Sequence, residues 1–116
     1  MVFIRINKGD DNMKNINKVR MANSKLLQFK NEADMWKTLF EIKELLVPYS
    51  EETISTYKKY DEVVYWMRKG IRTGYWNNEE DKVYADILIR AEDFKKIEHL
   101  FKKESFRRGK SVWILK

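Results

Sequence analysis

Few residues in this chain have the chemistry of a catalytic group. His99 is the only histidine and there is no cysteine, which excludes multi-histidine metal sites and thiolate nucleophiles. The triplets 80–82 (Glu-Asp-Lys) and 93–95 (Asp-Phe-Lys) match half of a metal-dependent nuclease site, with Asp86 as a further carboxylate ligand. Such triplets recur by chance in a chain of which 36% is charged. We therefore predict a non-enzymatic protein without a cofactor or metal, and the nuclease is a secondary alternative.

The positive charge lies at the two ends of the chain. The net charge is +6; residues 1–30 carry seven Lys/Arg against two Asp, and residues 102–116 carry six against one Glu. Residues 31–101 instead carry eleven basic and fifteen acidic groups. A field separated in this way attracts phosphate polymers, and the attraction weakens with salt. The charge, the aromatic content and the small size together favour a nucleic acid as partner, although many soluble proteins have lysine-rich surfaces.

Length and composition exclude several classes of protein. A chain of 116 residues fits one domain with a single core. No apolar run approaches the roughly 20 residues of a membrane-spanning helix, and the first residues lack the pattern of a signal peptide. The absence of cysteine is typical of a reducing compartment. We therefore expect a cytoplasmic protein with no membrane partner.

Residues 1–30 are predicted to form a flexible basic arm in front of a single α+β domain at 31–116. The stretch 8–31 is rich in Asn and Lys and has no sustained helical or strand period. Arms of this charge lie along phosphates or in a minor groove, but more of them are simply disordered tails.

The middle of the chain predicts helices. Residues 32–47 carry a broad apolar stripe, which Pro48 ends. Ser50 is a suitable N-cap for the next helical region, and Gly70 is a suitable C-terminal residue. Residues 51–69 are compatible with one long helix or with two short helices that break near residue 60. The second interpretation has the order of a helix-turn-helix.

A β-hairpin is predicted after this region, with strands 71–76 and 83–89 around a tip at 77–82. If 61–69 is a recognition helix, the hairpin is the wing of a winged helix, with Arg72 exposed toward DNA. The tip is acidic, which phosphates would repel. The alternative is a plain hairpin that buries Trp76, as most aromatic residues are buried.

The C-terminal part predicts a helix at 91–105, a basic turn at 107–110 and a strand at 112–115. Three cations beside Gly109 form the densest basic patch of the sequence. The turn either binds phosphate or is a solvated turn at a sheet edge. The predicted fold is α+β and winged-helix-like: two or three helices, a hairpin wing, a further helix and a C-terminal strand. A β-α-β sandwich, indicated by residues 83–115, is the alternative.

These patterns together predict a DNA-binding accessory or regulatory protein, acting in transcription regulation or conjugation. The Lys-, Asn- and Ile-rich composition suggests a plasmid or phage of an AT-rich bacterium. We expect it to bind double-stranded DNA as a homodimer, because a small module gains affinity and site length by pairing. The expected DNA-contacting residues are Lys58, Lys59, Arg68, Lys69, Arg72, Asn77, Asn78, Arg107, Arg108 and Lys110. The alternative is an inhibitor or adaptor that binds a host protein through the aromatic anchors Trp66, Trp76 and Trp113.

Overall fold

The computed structural model describes residues 22–73 and 82–116, and in these residues it contains a five-stranded sheet and four α-helices. The strands are β1 (Ala22–Phe29), β2 (Ile71–Arg72), β3 (Val83–Arg90), β4 (Phe101–Ser105) and β5 (Ser111–Leu115). The helices are α1 (Glu32–Ile42), α2 (Glu51–Ser55), α3 (Asp61–Met67) and α4 (Ala91–Ile97). Short 3₁₀ turns follow α1 at Lys43–Leu45 and α4 at Glu98–Leu100. The predicted α+β class is confirmed.

The strands lie in the order β2-β3-β1-β5-β4. β1 pairs antiparallel with β3 and parallel with β5, while β2 and β4 pair antiparallel with β3 and β5 at the two edges. β3 and β4 therefore run in the same direction, and α4 is the crossover between them. Residues 83–115 thus contain a β-α-β unit, but its second strand is β4, which the sequence predicts as helix, and not the terminal strand β5, which runs antiparallel to β3. The chain order α2-α3-β2-β3 is the order of the predicted helix-turn-helix and hairpin, and the winged helix itself stays a prediction.

β1 forms the centre of the sheet, although the sequence predicts a flexible arm there. Leu27 and Phe29 are fully buried, and all of β1 pairs with β3. The arm prediction is wrong for residues 22–29, because a central strand is stabilised by partners on both sides and not by its own apolar pattern. Residues 1–21, the rest of the predicted arm, lie outside the described residues.

α1 begins at a polar N-cap and buries one face. The Oδ1 of Asn31 accepts a hydrogen bond from the backbone N of Asp34 (2.8 Å), which satisfies one of the free N–H groups of the first turn. Met35, Leu39 and Ile42 follow at helical spacing and pack in the core. The predicted start of the helix is confirmed.

The predicted helix 32–47 is too long at its C-terminal end. The helix ends at Ile42. Val47 lies beyond it and donates its N–H to the carbonyl of Leu88 in β3 (2.8 Å). Leu88 in turn donates to the carbonyl of Gly70 (3.0 Å). A Cβ at Gly70 would lie 2.7 Å from the carbonyl oxygen of Val47, and the φ of Gly70 is +84°. Only glycine fits this contact without strain.

The region 51–69 contains two helices, which confirms the second interpretation. The Ser50 hydroxyl caps α2 by accepting from the N–H of Thr53 (3.2 Å). Tyr60 has φ −115° and ψ 84°, which is not helical, and α3 starts after it. The single long helix is excluded.

The predicted helix 91–105 is also too long. α4 ends at Ile97, and after one 3₁₀ turn the chain enters β4, where Phe101 pairs with Leu115 of β5. Lys102–Ser105 are exposed. An edge strand with two polar faces has no apolar alternation, so its sequence resembles the end of a polar helix. The predicted terminal strand is confirmed as β5.

The core lies on one face of the sheet, under α1 and α4. A second cluster of Tyr49, Ile54 and Met67 lies at the other face, and Leu88 of β3 packs against it. The main core consists of Leu27, Phe29, Met35, Leu39, Ile42, Leu46, Ile71, Ala85, Ile87, Ile89, Phe94, Ile97, Phe101 and Trp113. Within residues 22–73 and 82–116, no helix combines the length and apolar character needed to cross a bilayer.

Candidate nucleic-acid interface

The parallel pairing of β1 and β5 brings two basic parts of the sequence together. Leu26 lies opposite Val112 in this register. The turn that precedes β5 therefore lies at the end of the sheet where β1 begins at Ala22. We call the surface formed by Lys25, Lys103, Arg107, Arg108 and Lys110 the basic end of the sheet.

Trp113 holds two of these cations in place. The Nζ atoms of Lys25 and Lys103 lie 5.6 and 5.5 Å from the centre of its ring, and Lys25 also lies 4.9 Å from the ring centre of Phe94. Cation–π contacts of this length stabilise an ammonium group at a defined position. Among the described residues, neither lysine forms a salt bridge. Their charges are therefore ordered and available to an anion.

The turn 106–110 presents two arginines at its tip. Phe106 N donates to Lys110 O (2.9 Å), and Lys110 N donates to Arg107 O (2.8 Å). Arg108 and Gly109 both have positive φ, +50° and +78°. Two successive residues with positive φ close a tight hairpin. Positive φ is an uncommon conformation for an arginine. Both arginine side chains are exposed.

Lys110 lies over the second face of the sheet. The turn leans over this face, so that the Phe106 ring lies 6.0 Å from the ring of Tyr84. A cavity of about 490 Å³ lies at this face of the sheet, lined in part by Ser24, Asp86 and Lys110. Lys110 is close enough to Asp86 to lower the pKa of that carboxyl group. Its charge is therefore partly balanced, in contrast to those of the two arginines.

Arg72 is half-buried in an ion pair, whereas the sequence predicts an exposed side chain. Its Nη2 lies 2.8 Å from Oδ2 of Asp86, and its Nη1 donates to the Tyr57 hydroxyl (3.1 Å). The side chains of Arg72 and Asp86 are 25% and 11% exposed. Burial raises the pKa of Asp86, and Arg72 and Lys110 lower it by less. Arg72 thus compensates a buried carboxylate, and the predicted role of Asp86 as a metal ligand is not supported.

The remaining nuclease residues do not assemble a site in the described structure. Asp93 forms a salt bridge with Lys96 (3.1 Å), and residues 80–81 lie outside the described residues. Within residues 22–73 and 82–116, no group of three His, Cys, Asp or Glu side chains could hold a metal ion.

The cations predicted on the helices have other neighbours. Arg68 pairs with Glu51 (2.6 Å), and the Nζ of Lys69 lies 5.0 Å from the ring centre of Tyr65. Lys58 and Lys59 are exposed in the turn between α2 and α3.

The first turn of α3 is acidic, with Asp61 and Glu62 exposed. Asn77, Asn78 and Trp76 lie outside the described residues, so their predicted roles stay predictions.

Known proteins offer no guide to these surfaces. No protein family model, curated protein or solved structure matches the chain.

Lys25 and Lys103 were missed by sequence reasoning because they fall in the predicted arm and the predicted helix 91–105. No local signal identifies them, since they meet only where β1 and β4 both approach Trp113.

Proposed function

We propose that the protein is a non-enzymatic double-stranded DNA-binding protein that contacts phosphates through the basic end of the sheet. The observation that carries the proposal is the parallel β1–β5 register, which brings the turn 106–110 to the start of β1. The chain reaches β1 from residues 1–21, which carry five Lys/Arg against two Asp. A second basic segment of the sequence therefore joins the described structure at Ala22, the start of β1.

The chemistry of these cations suits a phosphate backbone. Arg107 and Arg108 are exposed at the tip of a tight turn, and an arginine binds phosphate in a bidentate manner. Lysine and arginine contacts release the counterions that surround DNA, which supplies most of a sequence-independent affinity. By contrast, Arg68 and Arg72 already pair with carboxylates.

The buried tryptophan of the basic end supports a duplex over a single strand as the partner, although the Phe106 ring of the turn is 38% exposed. Proteins that bind single strands offer exposed rings on which bases stack. Trp113 is only 8% exposed and is flanked by Lys25 and Lys103. At the basic end, the charges are therefore more accessible than the tryptophan ring.

The charge of α3 also argues for phosphate contacts at the basic end and against the use of α3 as a recognition helix. In a winged helix, α3 would enter the major groove. Its exposed first turn instead carries Asp61 and Glu62, which the backbone phosphates would repel. The proposal is thus an accessory protein with weak sequence preference, and a homodimer would present two basic ends to one duplex.

Fluorescence anisotropy with a labelled duplex tests the proposal. The double variant Arg107→Gln/Arg108→Asn should lose on the order of tenfold in affinity at low salt. The slope of log affinity against log salt should become shallower by about two, because each phosphate contact contributes roughly 0.9.

The matched control is Lys58→Gln/Lys59→Gln, which removes the same charge. The sequence predicts these two lysines as contacts, but the proposal places the contacts at the basic end of the sheet, so this variant should change affinity little. Equal losses in both variants, or no binding of the unaltered protein at low salt, would overturn the proposal. Thermal melts of all three proteins show whether each variant is folded.

A further inference from the structure

Four aromatic rings form one cluster across α1 and α3. The Trp66 ring lies 4.5 Å from Trp36, 6.3 Å from Phe40 and 5.0 Å from Tyr65, measured between ring centres. Phe40 is 51% exposed and Tyr65 is 55% exposed. We call these four residues the aromatic patch.

The aromatic patch is larger than the stability of the helices requires. α1 already buries Met35, Leu39 and Ile42 on its other side, so Phe40 adds little to the core. Half-exposed Phe40 and Tyr65 alone leave on the order of 200 Å² of ring surface in water, because an aromatic side chain has 150–250 Å² to bury. Single exposed apolar residues are common, but these two half-exposed rings adjoin Trp36 and Trp66, which makes the group a candidate interaction surface.

The charges beside the patch identify the partner chemistry. Tyr65, Trp66 and Lys69 follow Glu62 by three, four and seven residues, so the four residues share one side of α3 and of the turn after it. Glu62 lies at the beginning of this side and Lys69 at its end, where the lysine Nζ lies over the Tyr65 ring. The surface therefore runs from acidic through aromatic to basic.

Such a surface is complementary to the same surface of a second copy that runs in the opposite direction. In a two-fold symmetric dimer the same patch is used by both copies. A two-fold axis that passes between Tyr65 and Trp66 places Glu62 of one copy opposite Lys69 of the other, because both residues are equally far from the axis in sequence. The rings then pack against each other at the centre, and an oppositely charged pair closes each side.

We propose that the protein forms a homodimer in which α3 packs antiparallel on α3 of a second copy, with the aromatic patch at the centre of the interface. The interface is built by α1 and α3 and uses none of the residues that define the basic end of the sheet. The dimer should therefore form without nucleic acid.

Sedimentation equilibrium without DNA tests this dimer through charge reversal. The unaltered protein should shift from monomer to dimer mass as its concentration rises. Glu62→Lys and Lys69→Glu should each weaken self-association by at least about tenfold, because both symmetric pairs become repulsive. An equimolar mixture of the two variants should form a heterodimer, since every pair is then attractive, and the double variant Glu62→Lys/Lys69→Glu should again form a homodimer.

The control is Glu98→Lys, which reverses an exposed acidic residue in the 3₁₀ turn after α4, outside α1 and α3, and should leave the association unchanged. A monomer at every concentration would overturn the proposal, even if a different protein were found to cover the patch. A dimer insensitive to both single variants would place the interface elsewhere, and a mixture that fails to associate would refute the antiparallel arrangement. DNA affinity of the monomeric variants is a separate readout, so either proposal can fail alone.

Discussion

Arg72 and Asp86 face each other across β2 and β3, with 2.8 Å between Nη2 and Oδ2. The guanidinium group also lies 5.9 Å from the ring centres of Tyr49 and Tyr57. The Tyr49 hydroxyl donates to the backbone carbonyl of Asp86 (3.0 Å). The ion pair thus joins the sheet to the segment around α2, and the rings of Tyr49 and Tyr57 lie beside it.

Removing Arg72 should destabilise the fold. Arg72→Ala leaves the Asp86 carboxylate buried without its partner, a change that costs about 3–5 kcal/mol in a fully buried pair. Because the arginine side chain is 25% exposed, we expect about 2–3 kcal/mol after allowing for solvent screening. Urea unfolding measures the loss. Arg68→Ala breaks the exposed pair with Glu51 and should cost less than about 1 kcal/mol; equal losses would contradict the structural role of Arg72.

Asp86 should give the stability a pH dependence. Burial raises the pKa of this carboxyl group in the folded protein, above the value of about 3.9 in an unfolded chain. Between the two values the folded state binds more protons, so the contribution of Asp86 to stability falls as pH rises through this window. Asp86→Asn removes the titration.

The unfolding free energy of Asp86→Asn, relative to the unaltered protein, should therefore increase with pH across this window. Urea titrations at a series of pH values measure it. A relative stability that decreases with pH would mean that Arg72 outweighs burial.

Gly70 should not tolerate a side chain. Gly70→Ala combines a φ of +84° with a Cβ only 2.7 Å from the carbonyl oxygen of Val47, and we expect a loss above about 2 kcal/mol. Gly109→Ala is the matched control, because its φ is +78° but no atom lies within 4 Å of the added Cβ. It should cost about 1 kcal/mol. Thermal unfolding compares the two, and similar losses would show that the contact with Val47 relaxes.

Two substitutions of Arg108 should change folding stability in different directions while both weaken DNA binding. Asparagine tolerates positive φ better than arginine does, so Arg108→Asn should unfold at the same or a higher temperature than the unaltered protein. It should also make the salt slope of DNA binding shallower by about one. Arg108→Val removes the same charge but puts a β-branched residue at φ +50° and should be less stable. Unchanged DNA affinity in both variants would remove Arg108 from the interface.

Truncation should distinguish β1 from the predicted arm. Deleting residues 1–29 removes the central strand of the sheet and should abolish cooperative unfolding. Deleting residues 1–21 should retain cooperative unfolding and weaken DNA binding, since five Lys/Arg and two Asp are lost. Circular dichroism melts and anisotropy titrations measure the two effects. Undiminished DNA affinity after the shorter deletion would contradict the arm's predicted role.

The sequence by itself determined the features that depend on neighbouring residues. The cap at Ser50, the reversal at Gly70 and the apolar spacing at the start of α1 are local signals, and they correctly predicted where these elements begin or end. The basic turn before β5 was likewise visible, because its glycine and cations are adjacent. Such features follow from backbone conformation and short-range hydrogen bonds.

Only the tertiary structure decided the features that depend on distant residues. β1 and β4 are strands because of what they pair with, and their own patterns are those of an arm and a helix end. Lys25 and Lys103 meet only because β1 and β4 both approach Trp113. The sequence predicts that Arg72 is an exposed cation, but the pairing of β2 with β3 places it against Asp86. The physical reason is that sheet pairing joins residues far apart in the chain, so burial and charge compensation are set by the register.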